Sequence, residues 1–100
     1  GETSEIIRAR VNKAGKIQIE RYKDSEDIYC NAHLGPKDVK KYCTLDDETQ
    51  KLLHLAVEKF GLSARAYDRI LKVARTIADL DDAVSINPEH ISEAIQYRSL

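Results

Sequence analysis

The stretch Leu62 to Leu80, LSARAYDRILKVARTIADL, constrains the fold more than any other part of the chain. At about 100° per residue, Ala66, Ile70, Val73, Ala74 and Ile77 fall on one side of a helix, with Tyr67, Leu71 and Ala78 at its flank. Arg65, Arg69 and Lys72 fall on the opposite side, and Thr76 continues their line. Ser63 suits the N-cap, because its hydroxyl can accept from the free N–H groups of the first turn. Gly61 suits the stop of a preceding helix, where a positive φ costs little. An apolar face this wide has to be buried against other helices. The cationic row then faces either water or an anion, and that choice is the functional question.

The rest of the chain supplies the helices to bury it. Residues 3 to about 22 read as a first helix with Thr3 or Ser4 as N-cap. Ile7, Val11, Ala14 and Ile17 form its apolar stripe, and Arg8, Arg10, Lys13, Lys16 and Arg21 make the remainder basic. Gly15 weakens its middle by about 1 kcal/mol relative to Ala. Residues 23–35 lack a period and read as a loop that docks Ile28, Tyr29 and Leu34. Pro36 fits a helix N1 position, so 36–43 is a short second helix with Val39, Tyr42 and Cys43 inward. Asp46 or Asp47 opens a third helix, whose stripe is Leu53, Ala56, Val57 and Phe60, widened by Leu52 and Leu55. After Asp81 and Asp82, the run Asn87-Pro88-Glu89 starts a last helix with Ile91, Ala94 and Ile95 buried.

No segment alternates with period two for long enough to make a sheet. The predicted class is therefore all-α, a small bundle of four to five helices. One hundred residues fit one domain, and 42% apolar composition can supply its core. Gly1 reads as a cloning remnant, and the finish at Ser99-Leu100 as the cut end of a longer protein.

Charge and cysteine content exclude several function classes. Sixteen basic against seventeen acidic residues give a formal charge of −1, so the chain as a whole has no field to attract nucleic acid or an anionic membrane. Any anion site has to be local. No apolar run approaches the roughly 20 residues of a bilayer span. Two cysteines, Cys30 and Cys43, are too few for a disulfide scaffold and point to free thiols in the cytoplasm.

Few constellations could carry chemistry. There is no phosphate-binding loop, Gly-rich dinucleotide turn or nucleophile elbow, so the chain is not expected to be an enzyme on its own. The acidic pairs Glu26-Asp27, Asp46-Asp47 and Asp81-Asp82 sit at helix edges or in loops, where solvated caps explain them. Cys30 and His33 have a short spacing, but Cys43 and His54 lie ten residues apart across a helix start, and no metal site is expected. His54 and His90 read as helix-surface residues. In the cationic row, Asp68 and Asp79 lie close enough to pair with Arg69, Lys72 or Arg75, which is the ordinary solvated-face reading. Arg65 differs because it lies in the first turn, where free N–H groups and the positive end of the dipole favour a phosphate.

LSARAYDRILKVARTIADL, followed by INPEHISEAIQYRSL, is similar to the C-terminal domain of magnesium-chelatase-like AAA+ ATPases of the ComM (YifB) type. The basic first helix, NAHL at 31–34, YCTLD at 42–46 and the amphipathic 47–60 fit the same domain, so the resemblance covers essentially the whole chain. It implies a helical lid that follows a nucleotide-binding core. It further implies that Arg65 is the sensor-2 arginine, which contacts the γ-phosphate of ATP. Arg69 and Lys72 carry no such role and stand as a supporting basic face, or as interface or solvated residues. The implied cofactors, ATP and Mg2+, belong to the parent protein. The implied partners are the core, neighbouring subunits of a hexameric ring and, through the parent, DNA in recombination and natural transformation. An apolar patch that normally packs on the core is expected on the surface. A magnesium chelatase subunit proper is a weaker match, because the long runs are ComM-like. The alternative from another class is a DNA-binding helical module that uses Arg8, Arg10, Lys13 and Lys16 of the first helix.

Overall fold

In the computed structural model, which describes residues 1–99, the chain forms five α-helices: α1 Ser4–Arg21, α2 Pro36–Tyr42, α3 Asp47–Phe60, α4 Ala64–Leu80 and α5 Pro88–Gln96. Short 3-10 turns lie at Asn31–His33 and Tyr97–Ser99. Leu100, which closes the QYRSL run, lies outside the described residues. No strand occurs among the described residues, so the all-α class holds.

The helix ends follow the local chemistry. Thr3, Asp46 and Ser63 each cap a helix by accepting from the N–H three residues on, at 3.2, 2.8 and 3.1 Å. Gly61 ends α3 at φ 61°, ψ 43°, the left-handed region that glycine enters without a Cβ penalty. At α5 the cap is made differently from the expectation. Asn87 precedes Pro88 as predicted, but the bond at this end is from the Asn87 N–H to His90 Nδ1, 2.9 Å.

α4 is the hub. It packs on α5, α1, α2 and the Asn31–His33 turn, while α3 reaches the bundle mainly through α5. Ile70, Leu71, Ala74 and Ala78 form its deepest side, joined by Leu53 of α3, Val39 of α2, and Ile91 and Ala94 of α5. The buried side is thus turned toward Leu71 and Ala78. Ala66, Val73 and Ile77, expected at its centre, are half-buried.

Several expected core positions lie outside. Ile7 and Val11 of α1 are exposed, Ala14 is the buried residue of that helix, and Ile17 is half-buried. Ile7 and Val11 line an open groove opposite Ile77 and Leu80 of α4 and His90 of α5, so the first half of α1 flanks the bundle without closing on it. Tyr29 is 67% exposed, with its ring set edge-on to His33 instead of docked. Leu55 and Phe60 of α3 are exposed too, because α3 presents Leu53 and Ala56 inward. Ile28, Leu34, Val39 and Cys43 are buried as expected, and Tyr42 packs against the core.

Candidate anion site on the central helix

Ser63 positions the start of this site. Its hydroxyl accepts from the Ala66 N–H, and its carbonyl accepts from the Tyr67 N–H at 2.9 Å. Among the described residues, no acceptor takes the N–H of Ala64 or Arg65. The Arg65 side chain leaves this opening turn into solvent. It is exposed, makes no ion pair among the described residues, and lines a groove between the start of α4 and the end of α5. The groove has a volume of about 390 Å³. Its floor is Ala66, Ile70, Val73 and Ala94, and its rim carries Arg65, Arg69 and Arg98 beside Ser63 and Tyr97. Among the described residues, no carboxylate lines it.

The cationic row does not behave as one face. Arg65 and Arg69 are exposed, but Lys72 is half-buried and its Nζ lies 3.4 Å from the Leu34 carbonyl. Thr76 accepts from Asn31 Nδ2 at 3.0 Å and lies under the Asn31–His33 turn. The segment 31–34 therefore covers the C-terminal half of the row and leaves its N-terminal half open. Asp68 makes no ion pair among the described residues, and Asp79 is taken by Arg21 and Arg75. Arg65 and Arg69 at the open end of the row therefore make no ion pair among the described residues, with Asp68 beside them in a neighbouring groove.

Two residues of the groove have no counterpart in the sequence reading, Tyr97 and Arg98. A signal for Arg98 was present: it continues the buried stripe Ile91, Ala94, Ile95 by one turn, at i+7. Arg98 Nη1 donates to the Ile95 carbonyl at 2.8 Å, and its guanidinium carbon lies 4.0 Å from the centre of the Phe60 ring. Ring and carbonyl fix the side chain without cancelling its charge.

The other candidate groups are structural. His90, expected on the surface, is buried at 2% exposure. Its Nδ1 accepts from Asn87 N–H, which places the proton on Nε2, 2.9 Å from Asp81 Oδ2. Proline at N1 draws α5 against the end of α4, and the ring fills that junction. His54 is exposed beside Tyr67. Among the described residues, no three His, Cys, Asp or Glu side chains are grouped as metal ligands. In the basic first helix Arg10 and Lys13 are held by Glu2 and Asp82, at 2.6 and 2.7 Å. No helix among the described residues is long and apolar enough to cross a membrane.

Residues 1–98 match the family described as magnesium chelatase, subunit ChlI C-terminal. Over all 100 residues the chain is 44% identical to the competence protein ComM of Haemophilus influenzae. It is 39% and 37% identical to the YifB proteins of Salmonella typhimurium and Escherichia coli. It spans 19% of the length of each of these relatives.

Proposed function

The chain belongs to the magnesium chelatase subunit ChlI C-terminal family, and on that premise we propose that it is the helical lid of a ComM-type AAA+ ATPase. In this reading the nucleotide-binding core lies in the rest of a longer cytoplasmic protein, and these 100 residues do no chemistry by themselves. The supporting observation is Arg65, which stands at the first turn of the hub helix with its guanidinium open to solvent, in a groove lined by no carboxylate among the described residues. A helix start and a planar, doubly donating cation together suit a phosphoryl group. The groove's donors fit the phosphate end of a nucleotide, and nothing in it fits the magnesium ion, which the core would hold.

Arg65 is the sensor in this mechanism. It contacts the terminal phosphoryl group of ATP bound by the core, and so ties nucleotide occupancy to the angle of α4. Because α4 packs on three other helices, a pull at its first turn moves the bundle as a body. Arg65 loses that partner when the γ-phosphoryl group departs, and the lid is released. In a hexameric ring such motion passes between subunits and acts on DNA during recombination. The exposed apolar residues Ile6, Ile7 and Val11 on the first half of α1 suit packing against the core.

The test is Arg65→Ala in the full-length parent. ATP turnover is expected to fall by about tenfold or more, given what a charged contact to a transition-state phosphoryl group contributes. The melting temperature of the domain should stay put, since the side chain is exposed and unpaired. Unchanged turnover would remove Arg65 from the mechanism.

A further inference from the structure

The arginines of this chain fall into two groups. Arg10, Arg21 and Arg75 each face a carboxylate. Arg8, Arg65, Arg69 and Arg98 make no ion pair among the described residues, and three of these four line one groove. The grouping is not a property of one helix face, since Arg98 arrives from the turn after α5. Like charges gathered around an apolar floor repel one another unless an anion lies between them.

From this we propose that Arg98 is the second arm of the anion site, and that the groove takes a polyphosphate chain held between Arg65 and Arg98. The inference rests on the reading of Arg65 as a phosphate contact and adds a residue that this reading does not contain. Arg98 is prepared for the role. The Phe60 ring and the Ile95 carbonyl hold its guanidinium in place, so little side-chain entropy is lost when it engages an anion. Those two partners use one Nη1 hydrogen and one face of the guanidinium, and its remaining N–H donors stay available. Arg65 reaches the groove from α4 and Arg98 from the last turn. A chain of several phosphoryl groups offers more oxygens and more charge to two such arms than a single orthophosphate does. Arg69 adds charge at the rim. Loss of the terminal phosphoryl group would then free Arg65 and shorten the chain that Arg98 still holds, which links the end of α5 to the same event as the start of α4.

The experiment uses this chain, 15N-labelled, titrated at low salt with inorganic tripolyphosphate, and with orthophosphate in parallel. Amide shifts at Ala64–Ala66 and at Tyr97–Arg98 should follow one isotherm, with a dissociation constant on the order of 1 mM for tripolyphosphate. Orthophosphate should bind more weakly. Arg65→Ala and Arg98→Gln should each weaken tripolyphosphate binding roughly tenfold, the loss expected for one charge-assisted contact. Gln keeps the aliphatic stem against Phe60, and a circular-dichroism melt verifies the fold. Arg8→Ala, which removes an unpaired cation of α1, should change binding by less than about twofold, because its effect is screened. If only Arg65→Ala weakens binding, the second arm is wrong and the lid reading stands. If only Arg98→Gln does, the two-armed site is wrong and Arg65 loses its phosphate role. If Arg8→Ala has an equal effect, or no amide moves at tens of millimolar, the groove is not an anion site.

Discussion

Arg21 and Asp79, 58 residues apart in sequence, meet in a two-pronged pair at 2.8 and 2.6 Å that joins the end of α1 to the end of α4. The Asp79 carboxylate is fully buried and also accepts from Arg75 Nε at 3.2 Å and Asn31 Nδ2 at 2.9 Å. Arg75 in turn donates to the carbonyls of Ala83 and Val84 at 3.0 and 3.1 Å, which ties down the turn between α4 and α5. Asn31 Oδ1 accepts from Arg21 and from the Tyr22 hydroxyl. The bond to Asp79 holds the Arg21 guanidinium above its ordinary pKa. One carboxylate thus anchors α1, the Asn31–His33 turn and the α4–α5 turn around the hub helix.

Asp79→Ala should therefore be severe, because it leaves Arg75 buried and Arg21 partly buried without a counter-charge. We expect a loss of about 3–5 kcal/mol in urea unfolding, the usual cost of breaking one side of a buried pair. A loss below about 1 kcal/mol would show that solvent reaches the network and replaces the carboxylate.

Gly15 sits in the exposed middle of α1, and a Cβ built there meets no atom within 4 Å. Gly15→Ala should stabilise the chain by about 1 kcal/mol through lower backbone entropy in the unfolded state. A thermal melt that does not rise would mean that the first half of α1 is frayed and uncoupled from global unfolding.

Thr49 is fully buried, and its Oγ1 has no hydrogen-bond partner among the described residues. Thr49→Val keeps the shape and removes the unsatisfied hydroxyl. A gain of about 1 kcal/mol is expected in chemical denaturation. A loss of that size would place a hydrogen-bond partner at this hydroxyl.

The two thiols should differ sharply. Burial pushes the Cys43 thiol up from its ordinary 9.0 to about 11, while Cys30 is half-buried. The folded state keeps the neutral thiol that the unfolded chain has begun to lose, so this contribution is complete below pH 9.0 and disappears as pH rises through about 11. Cys43→Ala should accordingly flatten the alkaline fall in stability across that window, and iodoacetamide at neutral pH should label Cys30 well before Cys43. Equal labelling rates, or an unchanged alkaline slope, would count against the burial argument.

If the lid reading is right, the chain by itself should bind ATP negligibly, because it would contribute an edge of the phosphate site and none of the pocket for base and sugar. Isothermal titration calorimetry at micromolar concentrations is expected to show no heat of binding. Micromolar affinity would overturn the accessory-lid reading.

Local chemistry was enough to place every helix. The caps Thr3, Asp46 and Ser63, the Gly61 stop and the prolines at positions 36 and 88 act within a few residues, so the helix boundaries and the all-α class are written in the sequence. The position of Arg65 in an opening turn was legible for the same reason. Burial is not local, and there the sequence was ambiguous. An apolar stripe becomes core only when another element closes on it: the stripe on α1 faces an open groove and leaves Ile7 and Val11 in solvent, whereas His90 is sealed between α5 and the end of α4. Asp79 looks in sequence like an i+4 partner on a wet helix face, and only the return of Arg21 and Asn31 from distant positions makes it a buried anchor. Periodicity assigns residues to a face, but the packing of α1, the 31–34 segment and α5 on α4 decides which face is dry. That packing also gathers around a single groove three arginines that make no ion pair among the described residues.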